Sequence, residues 1–212
     1  MKSFLKRIPG VRSLARRLGF AVSTERDEMR NLILKMLPAG SVGAEIGVHL
    51  GDFSEEILAA VQPRTLHLID PWEFQASPTY ARSLYGGEHG RGATEMDQRH
   101  NAVLKRFAGQ IANGTVKVHR AYSSAALEDF NDGHFDWVYI DGNHLYEFVK
   151  QDLELSFRKV RPGGYITGDD YGDGGWWKGG VKKAVDEFIT THAVTLVELK
   201  GGQFILRRGV EA

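Results

Sequence analysis

Short apolar stretches alternate with amphipathic ones along this chain, and the last two apolar stretches are separated by only Lys200-Gly201-Gly202. Apolar runs at residues 42–48, 65–69, 115–119, 135–140 and 165–168 read as strands. Helical periodicity fills the gaps, at residues 52–61, 96–111, 123–130, 145–160 and 181–191. Strand–helix alternation of this length implies βαβ units and a parallel sheet with helices on both faces. The ending departs from it, because residues 194–199 and 203–207 are joined by a turn too tight for parallel neighbours. The expected architecture is therefore α/β: doubly wound, mostly parallel, with a C-terminal antiparallel hairpin.

A helix is also expected at residues 24–37, stopped by Pro38-Ala39-Gly40. It belongs to a helical extension over residues 1–40, ahead of a main domain at 41–212. The first twenty residues carry Lys2, Lys6, Arg7, Arg12, Arg16 and Arg17 and no acid, with Leu5, Ile8, Val11, Leu14, Ala15 and Leu18 at helical spacing. Three readings stay open for them: a helix packed on its own domain or on a second subunit, weak contact with an anionic membrane surface, or a disordered arm. A homo-oligomer is expected. The whole chain balances 27 basic against 27 acidic residues, so no global field recruits nucleic acid. The absence of cysteine excludes disulfides, thiolate nucleophiles and Cys-based zinc sites. No apolar run spans a bilayer and no secretory h-region is seen, which points to the cytoplasm.

The turn after the first strand reads Glu45-Ile-Gly47-Val-His-Leu-Gly51-Asp52. Gly47 permits a sharp turn and close approach of a ligand to backbone. Gly51 precedes a helix whose free N–H groups favour an anion. A dinucleotide fingerprint would need glycine where Glu45 stands. A carboxylate there repels a pyrophosphate and welcomes an ammonium group. Asp70 closes the second strand and can accept both hydroxyls of a ribose. An amino acid at one end and a ribose at the other describe S-adenosylmethionine. The alternative is that both glycines merely serve a tight turn and Asp70 caps a strand. Topology sets Ser123 near the adenine, unless it is only a helix N-cap.

Asp141 ends the fourth strand, and Asp169 and Asp170 end the fifth. Ligands of open parallel sheets bind beyond these strand ends. Three carboxylates converging there repel one another unless a cation intervenes, and oxygen donors suit Mg²⁺, Ca²⁺ or Mn²⁺. Alternatively the adjacent pair diverges, one inward and one capping the next loop. His144 opens the following helix, where it can serve as general base, cap or metal ligand. His49, in the cofactor turn, reads as a local hydrogen-bonding residue. Residues 172–180, with Trp176 and Trp177, and residues 72–92, with Tyr80 and Tyr85, are candidate lids over the crevice or plain surface loops.

These segments together resemble the class I S-adenosylmethionine-dependent methyltransferases. Among these they are similar to the metal-dependent O-methyltransferases of the macrocin and catechol types. The carrying residues are Ala44-Glu45-Ile-Gly47-Val-His-Leu-Gly51, Leu68-Ile-Asp70, Tyr139-Ile-Asp141-Gly-Asn-His144-Leu-Tyr146 and Pro162-Gly-Gly-Tyr-Ile-Thr-Gly-Asp169-Asp170-Tyr171. The resemblance implies a Rossmann-like, seven-stranded sheet over residues 42–207. It implies that Glu45, Gly47 and Gly51 hold the methionine part and Asp70 the ribose. It further implies that Asp141, Asp169 and Asp170 bind a divalent ion, usually magnesium. Two departures stand out. The catechol-type lysine base is replaced by His144. The sugar-modifying pattern Asp-Gly-Asp-Leu-Tyr is one residue longer here, with Asn143 in place of its second acid.

The expected chemistry is methyl transfer to a hydroxyl of a small acceptor, a sugar or other vicinal diol, with His144 or Asp141 acting on the proton. Two alternatives from other classes are a non-catalytic nucleoside-binding regulatory domain and a metal-dependent hydrolase.

Overall fold

A computed structural model describes residues 24–210. The basic segment 1–20 lies outside the described residues. The first element among the described residues is helix α1 (Glu25–Met36). Thr24 accepts a hydrogen bond from the Asp27 N–H and the Asp27 carboxylate accepts one from the Thr24 N–H, a reciprocal cap. Glu25, Asp27 and Glu28 in the first turn and Lys35 in the last suit the helix dipole. Pro38 pushes Leu37 to an extended conformation (ψ 134°), which ends the helix. Met29, Ile33 and Leu34 form its buried face.

The chain continues through β1 (Val42–Ile46), α2 (Asp52–Val61), β2 (Thr65–Asp70), α3 (Gly87–Gly90), α4 (Ala93–Arg106), α5 (Ala108–Ala112), β3 (Val116–Arg120) and α6 (Ser123–Glu128). It ends through β4 (Phe135–Ile140), α7 (Tyr146–Lys159), β5 (Val160–Gly168), α8 (Gly180–Thr191), β6 (Val194–Lys200) and β7 (Gln203–Arg208). One seven-stranded sheet has the order β3-β2-β1-β4-β5-β7-β6. The first five of these neighbours are parallel, and β7 runs antiparallel to both β5 and β6. This is the Rossmann-like sheet with a terminal hairpin that the sequence implies. Strand order reverses between β1 and β4, so their carboxyl ends open a crevice.

Two apolar clusters cover the two faces. Leu153, Val181, Val185 and Phe188 from α7 and α8 pack on one, with Val138 and Ile166 from the sheet. Ile33, Ile57, Val103 and Phe107 pack on the other, with Leu66, Leu68 and Trp137. The described part of the 1–40 extension therefore shares the main core: α1 packs against α2, β6 and β7. The helix expected over 96–111 is broken into α4 and α5 at Phe107, whose ψ of 19° leaves the helical range. The break turns the Phe107 ring inward to 2% exposure, against Gly51. Residues 72–92 are packed, not splayed: a 3₁₀ turn at Pro78–Tyr80 precedes α3, and Trp72 and Tyr80 are buried.

Candidate active site

A cavity of about 910 Å³ opens above the carboxyl ends of β1, β2 and β4. Glu45, Gly47, Asp70, Ser123, Asp141 and His144 all line it. Gly47 sits at φ 87°, and a Cβ there would lie 2.0 Å from the Asp141 carbonyl oxygen. Only glycine lets the turn after β1 press against the end of β4, which joins the two halves of the cavity. Gly51 (φ 77°) is similarly tight, with a virtual Cβ 2.6 Å from the Phe107 ring.

Glu45 is 2% exposed and accepts a hydrogen bond from Ser54 Oγ. Burial pushes its carboxyl up to about 8, with Ser54 opposing. Asp70 is used more heavily than its expected role requires. Its Oδ2 accepts the Val48 and His49 N–H groups at 2.9 and 3.0 Å, and its Oδ1 accepts the Trp72 N–H at 2.7 Å. It thus pins the glycine turn to β2 while lining the cavity. Burial raises it, and those three backbone bonds pull the other way. His49 acts through its backbone, accepting from Trp72 Nε1 at 2.9 Å, and burial lowers its imidazole to about 4. Ser123 is not the cap of α6. Tyr122 holds that position, and the Ser123 hydroxyl is donated to Asp152 in α7.

At the acidic end, Asp141, His144 and Asp170 each offer one donor atom, all within 4.8 Å of one another. His144 Nε2 lies 3.3 Å from Asp141 Oδ1 and Nδ1 lies 3.3 Å from Asp170 Oδ2. Both ring nitrogens are buried, and neither contact has hydrogen-bond geometry. Burial pulls His144 down, but Asp141 and Asp170 beside it outweigh that and raise it. Two carboxylates and an imidazole with unspent nitrogens fit a divalent ion. Asp169, expected in the same set, is turned elsewhere. Its Oδ2 accepts from Arg26 Nε at 2.8 Å and from an Arg30 guanidinium N–H at 2.6 Å. Arg30 also reaches Asp141 at 3.2 Å, and its guanidinium lies 4.7 Å from the Phe53 ring centroid.

The arginines of α1 are the functional side chains that sequence reasoning missed. Their only local signal is the spacing of Arg26 and Arg30, one turn apart on a helix whose other face is apolar. Tyr80, Tyr85 and Trp176 meet over the opposite wall, with ring centroids 5.5–6.1 Å apart. Trp177 lies edge-on to His144 at 4.9 Å. Asn143 ties the 72–92 segment down by donating to the Tyr80 hydroxyl at 3.0 Å. Arg99, also in the lining, clamps that segment through the Leu84 and His89 carbonyls at 2.6 and 2.8 Å.

A family profile described as "Methyltransferase domain" matches residues 44–171, which hold the glycine turn, Asp70, Asp141 and the aspartate pair. The chain belongs to this family. It is an S-adenosylmethionine-dependent methyltransferase, and its fold recurs in solved methyltransferases. An O-methyltransferase from Bacillus cereus, solved in complex with SAH, superposes with a TM-score of 0.60 at 15% identity, over 96% of this chain and 90% of that one. An O-methyltransferase from Thermotoga maritima gives 0.58 at 8% identity, over 93% and 71%. The N-methyltransferase NodS from Bradyrhizobium japonicum gives 0.55 at 16%, over 86% and 96%. Uncharacterized protein R132 of Acanthamoeba polyphaga mimivirus is 46% identical over 41 residues, 19% of this methyltransferase and 19% of that protein. Among the described residues no helix is long and apolar enough to cross a membrane.

Proposed function

We propose that this methyltransferase acts on a hydroxyl of a small acceptor, a sugar or another vicinal diol, with a divalent ion, Mg²⁺, held by Asp141 and Asp170. The observation that carries the reading is His144, half-buried between those two carboxylates in the lining of the cavity. Bound there, the ion would lower the pKa of an acceptor hydroxyl. Glu45, Gly47 and Gly51 hold the methionine part of the cofactor, Asp70 the ribose, and Ser123 the adenine end. Asp169 anchors α1 through Arg26 and Arg30, which leaves Asp141 and Asp170 as the acids that would hold the ion. His144 takes the acceptor proton, and the Asp141 carboxylate 3.3 Å from its Nε2 favours the imidazolium that forms. Tyr80, Tyr85 and Trp176 wall the acceptor side and exclude water. Fixing donor and acceptor in line supplies up to about 7–11 kcal/mol of the barrier.

The deciding experiment follows candidate acceptors by mass after incubation with enzyme and S-adenosylmethionine, with Mg²⁺ or with a chelator. A diol that gains one methyl group only with Mg²⁺ supports the reading. Equal methylation in the chelator removes the ion from it, and methylation of amines alone removes the hydroxyl. Mn²⁺ binding read by electron paramagnetic resonance tests the ion without turnover.

A further inference from the structure

Of the four guanidinium groups in the cavity lining, three are engaged. Arg26 and Arg30 hold Asp169, and Arg99 holds Glu95 and two loop carbonyls. Arg82 is the exception. It lines the cavity and is exposed, and among the described residues it has no ion pair and no hydrogen-bond partner. In the chain it falls between Tyr80 and Tyr85, two of the three rings that wall the acceptor side. That wall holds a second unspent group. The Tyr85 hydroxyl oxygen is buried, and no hydrogen-bond partner meets it among the described residues. Burial raises its phenol, and Tyr80, Asp70 and Asp141 add to the rise, so the hydroxyl keeps its proton and can donate it. A buried hydroxyl without a partner carries a desolvation cost that phenylalanine would not.

We infer that Arg82 and Tyr85 receive an acid group of the acceptor, so that the hydroxyl to be methylated belongs to a hydroxylated carboxylate and not to a neutral polyol. Both groups donate, and a carboxylate accepts from several donors at once. One free guanidinium matches one negative charge, which a carboxylate carries and a phosphate monoester exceeds. The inference rests on the proposed methylation of a hydroxyl, and it names the class of acceptor for that site.

Matched acceptors test it: glucuronate against glucose, and 3,4-dihydroxybenzoate against 3,4-dihydroxybenzamide. Each is incubated with the enzyme, S-adenosylmethionine and Mg²⁺, and initial rates give kcat and KM. In at least one pair the acid should have a KM about tenfold below that of its neutral partner, a value between a surface ion pair and a closed charge-assisted hydrogen bond. Arg82→Met removes the charge and should raise the KM of the acid to within about threefold of the neutral partner's, and Arg82→Lys should restore part of the difference. Tyr85→Phe should narrow the difference too, while the free protein resists urea at least as well as the native one. A hydroxyl with a purely structural role would lower that resistance. If Tyr85→Phe does not fold, the Arg82 ratio decides alone. Neutral diols methylated as well as their acids overturn the inference and leave the hydroxyl reading standing. A preference for the acid that survives in Arg82→Met also overturns it, because the charge is then read elsewhere, as at the ion. Methylation of none of the four overturns both.

Discussion

Replacing Glu45 with glutamine should stabilise the free protein and weaken its grip on the cofactor. Glu45 is sealed beneath the glycine turn with only the Ser54 hydroxyl as hydrogen-bond donor, and burial lifts its carboxyl from the ordinary 4.5 to about 8. A raised carboxyl favours the neutral form in the folded state. Its contribution to stability is therefore complete below about pH 4.5 and is lost as pH rises through 8. Each pH step between those values costs about 1.4 kcal/mol, which gives an upper bound near 4–5 kcal/mol at pH 8. Relaxation and water entry reduce that to about 2 kcal/mol. Glutamine keeps the Ser54 bond and never ionises. The variant should match the native protein near pH 4.5 and exceed it by about 2 kcal/mol at pH 8, read by urea unfolding across pH. On the proposed reading the cofactor's ammonium group would compensate the native charge, so loss of that pair should weaken S-adenosylhomocysteine about 10–100-fold. Near pH 7 the native protein should release a proton on binding, seen as a heat that depends on the buffer's ionisation enthalpy. A glutamine variant that is less stable than the native protein at pH 8, or that binds with native affinity, refutes the reasoning.

Arg30→Met should lower stability by about 1 kcal/mol, because buried Asp169 loses one of its two guanidinium partners and keeps Arg26. It should also tighten Mn²⁺, since a competing cation 3.2 Å from Asp141 is gone; weaker Mn²⁺ binding would show that Arg30 does not compete. Asp141→Asn and Asp170→Asn should each abolish Mn²⁺ binding while sparing S-adenosylhomocysteine. Asp169→Asn should instead cost unfolding free energy and leave Mn²⁺ bound, and the reverse pattern would restore Asp169 as a ligand. His144→Ala should cut the turnover rate by about 10²–10⁴ with cofactor affinity unchanged. A normal rate at saturating Mg²⁺ would take His144 out of proton transfer.

What the sequence made legible was local. Gly47 and Gly51 announce a tight strand-to-helix turn because only glycine tolerates their φ, and Lys200-Gly201-Gly202 announces a hairpin because little else closes two strands in so few residues. The meeting of strand ends put Asp141, Asp169 and Asp170 in one crevice, where Asp141 and Asp170 lie beside His144 and Asp169 turns to α1. What escaped lies between residues far apart in the chain. Arg26 and Asp169 are 143 positions apart, and Arg30 and Asp169 are 139. No periodicity carries that pairing, so a helix assigned to an extension proved to face the crevice. Phe107 escaped for a related reason. A helical pattern runs through it, but the space beneath Gly51 is filled only if the chain breaks and turns the ring inward. Asp70 was read as a ligand group, and its three backbone bonds became visible only once the loops were placed.

The long reach of α1 also bears on how the molecule opens. The cofactor half is built from neighbours in sequence, β1 through α7. The acidic crevice is complete only when α1 is seated on β6 and β7, the last strands to be synthesised. Three buried side chains, Met29, Ile33 and Leu34, hold α1 at that edge, against a sheet in which β1 is buried throughout and β4 at every residue but Asp136. Such an element forms a small cooperative unit, with a free energy of opening below that of global unfolding. Its amides should exchange with solvent faster than those of β1 and β4. Each opening would strip Arg30 from Asp141 and Asp169, and Arg26 from Asp169 and from Asp170, which it approaches to 3.7 Å. The acid crevice would then have two charge states, and the undocking equilibrium of one helix would set how often each is visited.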